Sequence, residues 1–211
     1  MTGCCAHDYE KLFSGKAAER DAARFRKKGV RGSARTLVEL AGDVRGATIL
    51  EVGGGVGGIE LTLLDAGASR ATNVELSSAY EQAARELVEE RGVGDRVDRR
   101  VADFVVDAGA IGSHDFVVMH RVVCCYPDVD ALVGAAAERA RRGLLLTYPQ
   151  PRTLVRLGVA VVNLGFRLGG STFRVFVHAR TRIDAAAERY GLTPTATVRH
   201  GLLWESTAFA R

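Results

Sequence analysis

The residues best suited to chemistry follow a short apolar run at 48–52 (TILEV), where the chain reads Glu51-Val52-Gly53-Gly54-Gly55-Val56-Gly57-Gly58. Glycines allow a tight backbone turn and let a ligand approach with no Cβ in the way. A second acid, Glu75, ends the next apolar run, and a third, Asp103, follows the run after that within Ala102-Asp103-Phe104. His120 falls near the end of a fourth run and is followed by Cys124-Cys125-Tyr126-Pro127. A glycine turn after one strand, with acids at the ends of its neighbours, is a cradle of nucleotide type.

Charge narrows what that cradle holds. Gly53, Gly55 and Gly58 satisfy the G-x-G-x-x-G spacing of dinucleotide enzymes. A dinucleotide sets an anionic pyrophosphate against the loop and the helix N-terminus, where the carboxylate of Glu51 would oppose it. S-adenosylmethionine has no phosphate and carries a cationic sulfonium and amino group, which an acid at Glu51 would favour. The interval of roughly twenty residues from the glycine loop to Glu75 suits both cofactors and does not separate them.

The pattern E-x-G-x-G-x-G at residues 51–57, with Glu75 ending the following strand, resembles the first two motifs of class I S-adenosylmethionine-dependent methyltransferases. The likeness extends over most of residues 34–211. It implies a cofactor site of Glu51, Gly53, Gly54, Gly55, Gly57, Glu75, Leu76, Asp103, Phe104 and His120, in which Glu75 binds the ribose hydroxyls and Asp103 accepts from the adenine amino group. It also implies S-adenosyl-L-homocysteine as product, with His120 and Tyr126 as the candidate catalytic groups. The imidazole of His120 suits proton transfer near neutral pH; a histidine that only lines the cofactor is the competing reading. Residues 173–178 (FRVFVH) carry a six-residue likeness to magnesium-protoporphyrin methyltransferases, too short to assign that substrate.

The elements that must position these groups alternate between strand and helix patterns. Strands are expected at 48–52, 71–76, 97–101, 115–123 and 143–148, and a closing antiparallel hairpin at 195–199 and 203–209. Helices are expected at 33–40, 59–65, 78–90 (capped by Ser77 or Ser78), 129–140, 153–168 and 182–190. Alternation of this kind predicts an α/β domain: a Rossmann-like, mostly parallel seven-stranded sheet with helices on both faces and an antiparallel C-terminal strand, plus a helical N-terminal arm. Residues 1–32 are read as that arm or lid and 33–211 as the catalytic domain. The apolar segment 153–168 is expected to pack over the sheet as a pocket wall. With Tyr9, Phe13, Phe25, Tyr126, Phe166, Phe173, Phe176 and His178 it would enclose a small organic acceptor.

Composition agrees with one globular domain: 211 residues, 47% hydrophobic, 26% charged. The net charge of +4 is dispersed, which disfavours nucleic acid as partner. The local excess at Arg24, Arg26, Lys27, Lys28 and Arg31 reads as a helix end. No apolar run is long enough for a membrane span and no secretory leader is recognisable, so a cytoplasmic location is expected. The pairs Cys4/Cys5 and Cys124/Cys125 are then free thiols without zinc spacing, and no metal site is expected. Three alternatives to a small organic acceptor stay open: a thiol or metalloid acceptor held by the cysteine pairs, a nucleic-acid acceptor, and a dinucleotide-dependent reductase. The oligomeric state is open.

Overall fold

The computed structural model describes Tyr9 and residues 12–211. Seven strands form one sheet: β1 (Thr48–Val52), β2 (Arg70–Glu75), β3 (Val97–Val101), β4 (His114–His120), β5 (Ala140–Pro149), β6 (Thr193–His200) and β7 (Trp204–Ala210). Their spatial order is β3-β2-β1-β4-β5-β7-β6. β1 through β5 pair in parallel, and β7 runs antiparallel to both β5 and β6. The chain leaves β1 towards β2 on one side and later returns to β4 on the other. The crevice of this sheet therefore opens at the carboxyl ends of β1 and β4, where ligands bind in open α/β sheets.

Seven helices complete the described residues: α1 (Gly15–Lys28), α2 (Ser33–Ala41), α3 (Gly58–Asp65), α4 (Glu81–Glu90), α5 (Val129–Arg139), α6 (Thr153–Leu168) and α7 (Arg180–Glu188). Alternate residues along the buried strands face opposite ways and build two cores. Ile49, Val118 and Leu145 meet α1 to α4 through Phe25, Leu37, Ile59, Leu63 and Leu87. Leu50, Val117, Met119 and Leu144 meet α5 and α7 through Leu132, Ala136, Ile183 and Ala187. Helices thus cover both faces, as the alternating pattern predicts.

Several local expectations are corrected. β4 stops at His120 rather than 123, because Arg121 takes a left-handed φ of 62°. The next residues form a 3-10 turn, Val123–Cys125. The helix expected from 78 begins as a 3-10 turn, Ser78–Tyr80, and neither serine caps it; Ser77 Oγ instead donates to the Phe13 carbonyl at 2.9 Å. α6 has the expected bounds, but only its Val155 is buried, so it does not pack over the sheet. The basic excess does close α1, where Arg26 grips Glu90 with Nε and Nη2 at 2.6–3.0 Å. Cys4 and Cys5 lie outside the described residues.

Candidate functional site

The turn after β1 is built on three left-handed glycines, with φ of 63°, 54° and 79° at Gly53, Gly55 and Gly57. The chain's own packing also demands small residues there. A Cβ on Gly53 would meet Val122 Cγ2 at 2.5 Å, so the loops after β1 and β4 abut across the crevice. A Cβ on Gly54 would lie 2.3 Å from Asn73 Nδ2 and 2.9 Å from the Glu51 side chain.

Glu75, at the end of β2, is buried and spans two loops: Oε2 accepts from Gly55 N–H at 2.9 Å and Oε1 from Ser77 N–H at 3.0 Å. Each oxygen keeps a second acceptor position. Leu76 beside it is exposed. After β3, Asp103 Oδ1 accepts from Val105 N–H at 3.0 Å, as a turn-forming Asp does, and Phe104 is buried. Across the crevice the half-buried Tyr126 has its phenol pushed up by burial and by Asp103 and Asp128. Glu75, Leu76, Asp103, Phe104, Tyr126 and the glycine turn thus share the carboxyl edge of the sheet.

Glu51 does something the sequence pattern does not reveal. Its carboxylate is 2% exposed and accepts from Glu60 N–H at 2.8 Å, so it caps the first turn of α3. Sheet register aligns Glu51 with Asn73 on β2, and Asn73 with Arg99 on β3, in one row beneath α3. Glu60 hangs from α3 onto this row, its Oε1 3.5 Å from Arg99 Nη1. Arg99 Nη2 also donates to the Gly55 carbonyl at 2.9 Å and to Glu81 at 3.0 Å, tying the glycine turn to the edge strand. Burial raises the Glu60 carboxyl to about 7 against the pull of Arg99. Burial and the neighbouring Glu60 push Glu51 well above the carboxylate range. Asn73, Glu60 and Arg99 are therefore site-supporting residues that sequence reasoning misses; the one visible signal is an acid inside the apolar run GIELTLL.

His120 is mostly enclosed, and its Nε2 shares a hydrogen bond of 2.9 Å with Ser33 Oγ of α2. Burial, Arg121 and His200 lower its imidazolium to about 4. At neutral pH the ring is neutral and a weak base, a state that suits lining better than proton abstraction. The adjacent Arg121 stacks its guanidinium 4.5 Å over the Trp204 ring and shares Ser33 Oγ at 3.3 Å. These contacts hold a residue whose left-handed backbone is strained.

Aromatic side chains gather over the same edge. Tyr9 stacks on Phe13 at 4.3 Å, both meet Phe173 edge-on at 5.9 and 6.4 Å, and Phe166 of α6 reaches Phe173 at 5.4 Å. The phenol of Tyr9 is pushed up by burial and by Cys125 and Glu75, which places it beside the acid of β2. Phe176 and His178 stack at 5.8 Å, with Phe176 N–H donating to the Cys124 carbonyl and His178 Nε2 3.0 Å from the Tyr126 carbonyl. Phe25 is not part of this group; it packs beneath Gly58 with Arg91 5.1 Å above its ring. Cys124 and Cys125 bring their Sγ atoms to 3.8 Å, and both thiols approach the Arg121 carbonyl. Among the described residues no group of three or more His, Cys, Asp or Glu is arranged to hold a metal.

A parallel sheet with a glycine turn and strand-end acids at its switch point defines a Rossmann-like cofactor-binding protein. Residues 50–146 match the family described as a methyltransferase domain, the same family type that the glycine turn and strand-end acids resemble. The chain matches a methyltransferase domain and not a dinucleotide-dependent reductase, and similar structures hold S-adenosylmethionine or S-adenosylhomocysteine. In structure it is similar to magnesium protoporphyrin IX methyltransferase from Synechocystis with bound S-adenosylhomocysteine: TM-score 0.71, 21% identity, 98% of this chain and 99% of that one covered. An O-methyltransferase family protein from Burkholderia thailandensis matches with TM-score 0.74 and 18% identity over 96% of this chain and 62% of that one. Geranyl diphosphate C-methyltransferase from Streptomyces coelicolor A3(2) matches with TM-score 0.64 and 18% identity over 84% and 79%. No protein with a curated description matches in sequence.

Proposed function

We propose that the chain transfers a methyl group from S-adenosylmethionine to a small, largely apolar organic acceptor held between the N-terminal arm and residues 166–178. The observation that carries this reading is the aromatic group Tyr9, Phe13, Phe166 and Phe173 beside Glu75. Aromatic walls with a few polar groups suit a flat or unsaturated molecule. The similar structures named for a porphyrin and for geranyl diphosphate, both with large apolar bodies, lend the reading support by analogy.

The donor set at the carboxyl edge fits the cofactor. The second acceptor positions of Glu75 suit the ribose hydroxyls, and the free Oδ2 of Asp103 suits an exocyclic amine, with Leu76 and Phe104 as apolar neighbours of the adenine. The glycine turn 53–57 admits the amino-acid end of the cofactor close to the backbone. The bound cofactor supplies an electrophilic methyl on a sulfonium, so the chain's own residues need only orient the acceptor and exclude water. The segment at Tyr9 and Phe13 serves as the lid, with Ser77 Oγ pinning the Phe13 carbonyl. Tyr126 orients the acceptor by its phenol, and His120, neutral at working pH, accepts a hydrogen bond or lines the site. The Cys124/Cys125 reading for a metalloid gains less support, since both thiols are directed at a backbone carbonyl.

Calorimetric titration with S-adenosylmethionine, S-adenosylhomocysteine and NADPH tests the donor, repeated on Glu75→Gln. Binding of the first two, weakened at least tenfold in the variant without loss of folding, is the expected result. Binding of the nicotinamide alone would overturn the reading. For the acceptor, Phe173→Ser should raise KM for an aromatic acid or phenol while leaving cofactor affinity unchanged.

A further inference from the structure

α6 presents an apolar surface to solvent. Leu154, Leu157, Val161, Leu164 and Leu168 are 54–80% exposed and fall along one side of the helix. Val162 and the small residues Gly158, Ala160 and Gly165 widen that side into an arc of about half the circumference, broader than the narrow seam through which two helices pack. The opposite side fastens the helix to the protein: Val155 is buried, Asn163 exchanges two 2.8 Å hydrogen bonds with the Val175 backbone, and Phe166 meets Phe173. The β6–β7 turn extends the patch. Gln150 holds it at the start of α6 by bonds to the Gly201, Leu203 and Trp204 carbonyls, and Leu202 and Leu203 are exposed there.

Charge says what covers this surface. From residue 139 to residue 183 the chain contains no Asp or Glu, and α6 carries Arg156 and Arg167, with Arg152 just before it, all exposed. An antiparallel pairing with a second copy centred on Val161 would set Arg156 against the partner's Arg167 with no acid in the segment to neutralise either. An apolar arc on a helix whose own charged residues are all arginine is instead the composition of a helix that lies in the surface of an anionic bilayer. It does not span: among the described residues no helix is long and apolar enough to cross a membrane.

We infer that α6 and the 201–203 turn dock this protein on anionic lipid surfaces, with the acceptor taken from the bilayer. Docking stands on the exposed face alone; the second clause rests on the proposed apolar acceptor. Phe166 links the lipid-facing helix to Phe173, Tyr9 and Phe13, so a molecule leaving the bilayer beside α6 would meet the aromatic group directly.

Sedimentation of the full chain with vesicles of phosphatidylcholine, and of phosphatidylcholine mixed with phosphatidylglycerol, tests this without any cofactor. The expected result is binding to the mixed vesicles, reduced at least tenfold by the triple variant Leu157→Glu, Val161→Glu, Leu164→Glu. The pair Arg156→Gln, Arg167→Gln and added salt should each weaken it several-fold, and S-adenosylmethionine affinity, measured without vesicles, should stay unchanged in both variants. A wild-type chain that stays in the supernatant with mixed vesicles overturns the inference. So does a stable dimer that the triple variant dissolves, which would assign the face to a second copy. Loss of cofactor binding in the wild type would sink the proposed function and leave the docking result standing.

Discussion

The floor of the glycine turn and the outer face of α6 invert the ordinary distribution of side chains in opposite ways. Under Gly54 and Gly55, two carboxylates, an amide and a guanidinium are withdrawn from water. Along α6, six large aliphatic side chains are left in it. Each inversion costs free energy, and each borders the carboxyl edge where the cofactor and acceptor are proposed to meet. Buried charge and exposed apolar surface are the informative exceptions to the burial rule. The floor uses its charges to hold the loop from below, through Arg99 to the Gly55 carbonyl and Glu51 to the Glu60 amide. The helix holds nothing outward, so its exposure points to something outside the chain.

The comparison breaks most visibly at Arg99. Replacing it by Met leaves Glu60 facing Glu51 with no cation and should cost about 3–5 kcal/mol, as removal of one partner from a buried pair does. Thermal melting at pH 8 measures it, and the loss should shrink at pH 5.5, where Glu60 can stay protonated. An equal loss at both pH values would show that packing, rather than charge, is what Arg99 supplies.

A Cβ at Gly54 is next in size. Asn73 Nδ2 at 2.3 Å and two Glu51 atoms at 2.9 Å leave no room, and these neighbours are themselves buried. Gly54→Ala should therefore destabilise by about 3 kcal/mol, the upper end of overpacking, and weaken S-adenosylmethionine binding as the turn shifts. A variant as stable as the parent would mean that the floor is soft.

Glu60 gives the floor a pH dependence that α6 lacks. Its folded value of about 7 lies above the ordinary 4.5, so between those values the native state holds the extra proton. The contribution is fully present below 4.5 and is lost as pH rises through about 7. Stability should fall by about 2 kcal/mol between pH 5 and pH 8, counting only part of the shift because Glu51 titrates alongside. Glu60→Gln should flatten the curve, read from melting temperature against pH.

What the sequence can reveal follows the same divide. β1, β3 and α6 have the bounds expected from pattern, because hydrophobic periodicity is local. The floor as an arrangement is not legible in the sequence, beyond Glu51 and the acid inside GIELTLL, because Glu51, Glu60, Asn73 and Arg99 meet only through strand register and the fold of α3 over it. Glu60 reads as a helix-surface acid until β1 is known to lie beneath. Pattern extends β4 three residues too far because DFVVMHRVV stays apolar on both sides of Arg121, and periodicity does not see a left-handed φ. Apolar composition alone places α6 in the interior, and nothing in residues 153–168 by themselves distinguishes a core from a membrane surface.

The smallest effect sharpens the comparison from the other side. Gly158 lies on the exposed arc of α6 with open space where a Cβ would stand, nothing lying within 4 Å, and its φ is not left-handed. The same substitution that overpacks the floor should here gain about 0.5–1 kcal/mol, since Ala is the better helix former and no neighbour must yield. Gly158→Ala should raise the melting temperature slightly and leave cofactor affinity unchanged. It also adds a methyl group to the lipid-facing side, so vesicle binding should hold or strengthen. A destabilised Gly158→Ala would mean that another part of the protein, or a second copy, already lies against α6 in solution, and the exposed helix would then be a buried contact.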